Sequence, residues 1–356
     1  KGYRCGLGLV GVLLLSEAGV AMPEPMGEMR AQHSETVSPE DPRAAAERAF
    51  EEGIQLFNQG TAESQRQAIE KWEVVVLLLR EIGDRSKEAL TLTWIGFAYN
   101  TLGEKRKALD YYQQALPIIQ AVGDSVGEAN ILNNMGDAYN SLGEKRKALD
   151  YYQQALPLLR EVGDRSSEAI ALSNIGTAYW DLGENQQALD YYQQALPLLQ
   201  AVGDRSGEAI ILTSIGSVYF DLGDKQQALD YYNQALPLRR EVGDRSGEAT
   251  TLNNMGLVYS DLGDKQKALD YYQQALLLRR EAVDSPEERL RQRSGEAATL
   301  HNIGLVYSDL GEQQKALDYY QQALPLRREV GDRSGEAGTL TGIGLVYSDL
   351  GEYQTA

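Results

Sequence analysis

Two histidines, one cysteine and 52 carboxylates set the limits of any chemistry in this 356-residue chain. Cys5 stands alone and excludes an internal disulfide, and with only His33 and His301 beside it no Cys/His metal cluster can be built. His301 has no cysteine partner in its own segment and reads as a surface variant, not a base. The carboxylates Asp181, Asp221, Asp261, Asp309 and Asp349 each sit two residues before a glycine. There a carboxylate is solvated or bonds the turn, which is not the paired arrangement of general acid–base catalysis. The residue types therefore point away from an enzyme, with no cofactor and no metal. The tyrosine doublets, Tyr111-Tyr112 and their copies, offer stacking surface. Their spacing puts the second tyrosine in a core and the first at the edge of the next repeat, so the abundance of tyrosine is packing and not base recognition.

A repeat positions these residues. The stretch LGEKRKALDYYQQALP at 102–117 returns at 142–157 and, with small edits, at 182–197, 222–237, 262–277 and 310–325. Its glycines Gly103, Gly143, Gly183, Gly223 and Gly263 are 40 residues apart, Gly311 follows after 48, and Gly351 after 40 more. A fixed period of this size marks a stacked-repeat protein. In the segment 204–242, Asp204 stands where an N-cap is needed. Ala209, Leu212, Ile215, Tyr219 and Leu222 then form one amphipathic stripe, closed by Gly223. A second helix carries Ala228, Tyr232, Ala235, Leu238 and Val242 and ends at Gly243. Pro237 removes the hydrogen bond to the Asn233 carbonyl, yet the apolar spacing continues past it. The pattern predicts a kink there and not a stop, repeated at Pro117, Pro157, Pro197 and Pro325 but not at Leu277.

Residues 41–83 form an earlier, degenerate pair, opened by Asp41-Pro42 as cap and first helical residue. Ala45, Ala49, Gly53, Leu56 and Phe57 share one side of its first helix, and Ala68, Trp72, Val75, Leu78 and Leu79 one side of its second, after a turn three residues longer than the others. Residues 84–356 are the regular array, whose eighth unit stops after its first helix.

The pattern Leu212, Gly216, Tyr219, Ala228, Tyr232, Ala235 resembles the tetratricopeptide repeat, and its first-helix part recurs from Leu92-Gly96-Tyr99 to Leu340-Gly344-Tyr347. The resemblance implies an all-α, right-handed superhelical solenoid of antiparallel helix pairs. Gly96, Gly136, Gly176, Gly216, Gly256, Gly304 and Gly344 are its structural glycines, each expected to face the alanine twelve residues later, as Gly216 would face Ala228. The 40-residue unit is similar to the long-repeat subclass of Pins/LGN-type adaptors, kinesin light chains and bacterial arrays that precede CHAT (caspase-like) protease domains.

That family binds peptides or partner helices in the groove lined by its first helices. Two residues before the glycine stand Trp94, Asn134, Asn174, Ser214, Asn254, Asn302 and Gly342. The asparagines of this row either hydrogen-bond a peptide backbone, having donor and acceptor together, or form a solvated row. Trp180 and Phe220 interrupt a polar series four residues after the glycine, as an aromatic anchor or as rings folded back on a hairpin. No lysine or arginine stands three or six residues before the glycine, so the carboxylate-clamp mode is not expected. The resulting expectation is a non-enzymatic scaffold for a protein or peptide. The alternative is the sensor half of a longer CHAT protease or signalling protein with its effector beyond residue 356.

A net charge of −18 repels nucleic acid and anionic lipid. No apolar run reaches the length of a membrane span. Residues 1–21 have the basic, apolar, small-residue order of a secretion signal, with cleavage after Ala21, and residues 22–40 read as a flexible linker. The expected location is extracytoplasmic, periplasmic or secreted, if that signal operates and cytoplasmic otherwise. Finally, eight extra residues fall between Arg280 and Leu300. Ser285-Pro286-Glu287-Glu288 reads as a capping box, so a first helix is predicted to begin near Pro286 and to project about 12 Å beyond its siblings, with Gly295 as its weak point.

Overall fold

The computed structural model describes residues 41–281 and 285–351; the expected signal and linker lie outside the described residues. These residues hold fifteen helices, no strand, and two compact units, 41–198 and 199–351. The first contains α1 (Pro42–Phe57), α2 (Ala62–Ile82), α3 (Arg85–Thr101), α4 (Lys105–Val122), α5 (Ser125–Ser141), α6 (Lys145–Val162), α7 (Arg165–Asp181) and most of α8 (Asn185–Val202). The second contains the end of α8, then α9 (Arg205–Asp221), α10 (Lys225–Glu241), α11 (Arg245–Asp261), α12 (Lys265–Arg279), α13 (Pro286–Asp309), α14 (Gln313–Glu329) and α15 (Arg333–Asp349). Within each unit, consecutive helices joined by short turns pack into an all-α array of hairpins.

The caps follow the repeat. Asp244 Oδ1, for example, accepts the Gly247 amide at 2.8 Å at the start of α11, and Gly223 closes α9 at φ +84°. That φ is left-handed, where a residue with a Cβ is strained.

Each hairpin closes on one contact. The second tyrosine of the doublet is buried flat against the first-helix glycine sixteen residues before it. A methyl group at Gly216 would stand 2.6 Å from Tyr232 Cε1, and one at Gly96 2.6 Å from Tyr112 Cε1. The expected partner Ala228 contributes only its carbonyl oxygen, 3.1 Å from the same point, so the nearest neighbour is the ring and not the small residue. In the degenerate pair Trp72 takes the tyrosine's place over Gly53, nineteen residues on; the three extra residues expected in the turn lie in α2 instead, which has 21 residues against 18 for α4. Trp72 Nε1–H also donates to the Phe50 carbonyl at 3.2 Å. The buried face of α1 is Ala46, Phe50, Gly53 and Phe57, one position round from the expected Ala45 and Ala49, because Phe50 and Phe57 must meet Trp72.

The first tyrosine of the doublet does not reach the next repeat. It stacks within its own hairpin: Tyr139 on Tyr151 and Tyr259 on Tyr271, each with centroids 5.3 Å apart. Lys267 Nζ lies 5.1 Å above the Tyr259 ring, a cation–π cap on the stack.

The helices run uninterrupted through Pro117, Pro157 and Pro237. Pro237 and Asn233 are both exposed, so water can reach the carbonyl that the proline leaves without its donor. Leu222 and Val242 are also exposed, because each sits at a C-cap beyond the periodic phase. The buried place near the end of α10 goes to Arg239, which is 2% exposed and pairs with the cap Asp244. Arg327 repeats this with Asp332. Arg279 instead bonds Ser246 Oγ at 3.1 Å and Thr250 Oγ1 at 2.5 Å, and its burial pushes its pKa down to about 10.

The insertion is helical, as predicted. α13 has 24 residues against 17 for α11, and Ser285 Oγ accepts the Glu288 amide at 3.1 Å. It does not break at Gly295, where the Arg279 guanidinium lies directly against the helix and leaves no room for a Cβ.

Two glycine-to-alanine changes inside helices should therefore have opposite signs. Gly216→Ala overpacks against Tyr232 and should cost about 1–3 kcal/mol despite alanine's better helix propensity. Gly338→Ala meets nothing within 4 Å and should stabilise by up to about 1 kcal/mol. Urea midpoints of both variants check the pair, and a stabilised Gly216→Ala would exclude the ring contact.

Candidate interaction site

The first helices are joined to one another by polar side chains, and this joint contains three of the residues expected to meet a partner, Asn174, Asn254 and Asn302. In the unit 41–198, Tyr152 donates its hydroxyl to Asp137 Oδ1 at 2.5 Å, and Asn174 Nδ2 of the next repeat donates to the same oxygen at 3.0 Å. Tyr192 and Thr177 share a hydroxyl bond of 2.9 Å. In the unit 199–351, Tyr232 and Ser217 share one of 3.0 Å, and Asn254 Nδ2 reaches Ser217 Oγ at 3.4 Å. Asn253 Oδ1 accepts from Thr299 at 3.1 Å and from Asn302 at 3.2 Å.

In the row two before the glycine, three asparagines thus bond the preceding first helix. Asn174, Asn254 and Asn302 each donate to the repeat before them, and Asn134 is wholly buried. Trp94 is 4% exposed among Phe50, Phe57, Trp72 and Phe97. Trp180 and Phe220 are both half-buried, and they fall in different units. Phe220 packs against a core of Ala228, Leu229, Tyr232, Met255 and Val258. Gly96, Gly136, Gly176, Gly216, Gly256 and Gly304 all stand under a tyrosine ring.

The recurring carboxylates are neither merely solvated nor bonded to their turns. Lys145 Nζ lies 2.5 Å from Asp181, Lys225 2.7 Å from Asp261 and Lys265 2.5 Å from Asp309, each lysine belonging to the preceding repeat. A second set crosses the repeat junction, from Arg160 to Glu168, Arg240 to Glu248 and Arg280 to Glu296. His301 is no surface variant. Its ring lies 5.4 Å from that of Tyr320, Nδ1 is 3.3 Å from Thr339 Oγ1, and burial with the nearby Arg327 charge pushes its pKa down to about 4.

Sequence reasoning missed the position one residue after the glycine. Asp137, Thr177 and Ser217 hold it in three repeats and bond the buried tyrosine fifteen residues later. Leu257, Leu305 and Leu345 hold it further on. The signal was available in three consecutive repeats: a short polar residue fifteen residues before the buried tyrosines Tyr152, Tyr192 and Tyr232. Asp137 is the one carboxylate among these six. Its Oδ2 is enclosed without a hydrogen-bond partner, and burial pushes its pKa up to about 8 against the opposing pull of Tyr152 and Lys105.

Among the described residues no cluster of His, Cys, Asp and Glu is placed to hold a metal ion, and no helix is long and apolar enough to cross a membrane. The fold and its joint define a class, the repeat array built of glycine-and-tyrosine helical hairpins. The tetratricopeptide repeat model matches residues 87–161, 167–241, 235–281 and 291–356, and the chain belongs to that family. No curated protein matches it. Among solved structures it is similar to the apo form of the quorum sensor NprR from B. thuringiensis, at 17% identity over 89% of this chain and 86% of that one, with a TM-score of 0.68. It is similar to the apo form of RapI at 18% identity, covering 81% and 99%, with a TM-score of 0.64. NprR in complex with its cognate peptide NprX gives 17% identity, 90% and 88% coverage and a TM-score of 0.55. At such identities the likeness is one of fold.

Asp137 sets a pH dependence. Its folded pKa lies above the unfolded value near 3.9, so the folded state holds a proton that the unfolded chain has released. Stability from this group is complete below about pH 4 and is lost as pH rises toward and through 8. Asp137→Asn keeps the acceptor for Tyr152 and Asn174 and should flatten that loss. Thermal midpoints between pH 5 and 9 should fall more for the wild type than for the variant; parallel curves would exclude the buried neutral carboxyl.

Proposed function

We propose that the chain is a non-enzymatic protein-interaction scaffold that holds an extended peptide along the face of its first helices. The observation that carries this reading is the polar joint itself. Hydroxyl and amide side chains on the first helices are held in place by bonds within their own hairpin or to the neighbouring repeat, before any partner arrives, and Ser217 and Asn254 among them are only half-buried. A surface fixed in advance loses little conformational entropy on binding. The peptide complex of NprR, built on a similar fold, supports the same reading. With a charge of −18 the chain favours neutral or basic peptides and disfavours nucleic acid.

Trp180 reports on this face in the unit 41–198. Of the three tryptophans, Trp72 and Trp94 are buried and Trp180 is half-buried. Acrylamide should quench a distinct fraction of the emission, and Trp180→Phe should abolish that fraction. Random 12-residue peptides displayed on phage should yield binders to the full chain. Amide shifts on binding should centre on first-helix residues of one unit, such as Ser217 and Ser260 in the unit 199–351. Shifts confined to the outer second helices, at residues such as Gln113, Gln153 and Gln234, would overturn the assignment.

A further inference from the structure

The joint changes character inside the unit 199–351. At Tyr232 the hydroxyl is answered by Ser217, with Asn254 close by. At Tyr320 both answering residues are gone: Leu305 stands where Ser217 does, and Gly342 stands where Asn254 does. Tyr320 is 1% exposed, yet its hydroxyl makes no hydrogen bond among the described residues. The tip of its ring lies against Gly342, where a methyl group would come 2.8 Å from Cζ. Leu305 beside it is 44% exposed, on a helix whose Leu300, Ile303 and Val306 are all buried. A large apolar side chain left this open, next to a buried tyrosine with an unanswered hydroxyl, is half of a binding contact.

The neighbours narrow the occupant. His301, 5.4 Å from the Tyr320 ring, is uncharged near neutral pH, since burial and the Arg327 charge push its pKa down to about 4. Burial, with the Asp309 charge behind it, raises the Tyr320 pKa, so the phenol stays protonated and can donate. The Asp309 side chain is itself exposed and carries one ion pair, to Lys265. An acidic group would meet that carboxylate and find no free cation in reply. An apolar side chain finds Leu305, and the peptide carbonyl next to it finds the hydroxyl.

We infer that Leu305, Tyr320 and Gly342 form a specificity subsite that seats one leucine-like side chain of a bound peptide, with the adjacent peptide carbonyl accepting from the Tyr320 hydroxyl. The inference rests on the peptide-binding reading above and names the chemistry at one point of that face. Gly342 matters because a side chain there would run into the tip of the Tyr320 ring, and an asparagine, as at 254, would also take up the hydroxyl.

The test uses the full chain and the phage-selected 12-residue peptides, labelled for fluorescence anisotropy. Selected peptides should share one Leu, Ile or Met, whose change to Ala weakens binding at least tenfold and whose change to Glu weakens it further. Tyr320→Phe keeps the ring and removes only a hydroxyl that bonds nothing in the free protein. It should lower affinity about fivefold with an unchanged melting temperature, whereas Tyr232→Phe should lower the melting temperature. Leu305→Ser, which supplies the missing hydroxyl partner, should lower affinity tenfold, and it should no longer respond to the peptide's Leu→Ala change. Leu222→Ser, at an exposed turn, should change nothing. Peptides whose amide shifts map to the first helices but whose affinity ignores both Tyr320→Phe and Leu305→Ser would overturn the subsite and leave the scaffold reading standing. Failure to select any peptide would overturn both.

Discussion

One contact governs the architecture: a tyrosine ring laid flat on a glycine sixteen residues earlier. The glycine lets the two helices of a hairpin approach to the thickness of an aromatic ring, and the ring fills the gap that a second small residue would leave empty. Interiors are packed closely enough that neither partner can change size alone. Tyr112, Tyr152, Tyr232, Tyr272 and Tyr320 are each buried to within 1%. In three hairpins the buried phenol finds a partner at its tip from the position after the glycine, Asp137, Thr177 or Ser217. There the polar joint between first helices follows from the ring contact, since Asp137 and Ser217 also accept from the asparagine of the next repeat.

Charge is distributed by the same logic. Lysines near the start of second helices reach carboxylates one repeat on, and arginines near their ends reach glutamates of the following first helix. Several of those glutamates are nearly buried, at 6% side-chain exposure for Glu248 and 1% for Glu88. Paired and partly desolvated, they specify where the next hairpin sits more than they add stability. Many of the cations are therefore committed to joints.

The repeat, its caps and the helical insertion were legible because each rests on local chemistry. Ser285-Pro286-Glu287-Glu288 starts a helix whatever surrounds it, and a 40-residue glycine period survives small edits. Phase was not legible. Periodicity shows that Asn134, Asn174 and Asn254 share one side of their helices, but not that Asn174 and Asn254 bond the preceding first helix. Gly216 and Ala228, both small, suggested each other as partners; the ring between them is visible only once the hairpin closes. Nothing in the sequence singled out Arg239 as a core residue, since arginine is rarely buried. Its hint was Gly247, a glycine within a helix that had no turn to explain it.

The eight-residue insertion shows which distance the chain conserves. The period changes from 40 to 48, yet Gly304 and Tyr320 remain sixteen apart and in contact. A hairpin measures itself internally, so length can be added ahead of a first helix without disturbing the pair that follows. Such self-contained modules carry a hazard when their sequences are nearly the same, because one hairpin can dock on the wrong sibling during folding. The departures from uniformity then act as addresses. Asp137 offers Asn174 a carboxylate where Ser217 offers Asn254 a hydroxyl, and His301 meets Thr339 where Asn253 meets Thr299. Each joint reads slightly differently from the next, which lets a chain of near-copies assemble in order.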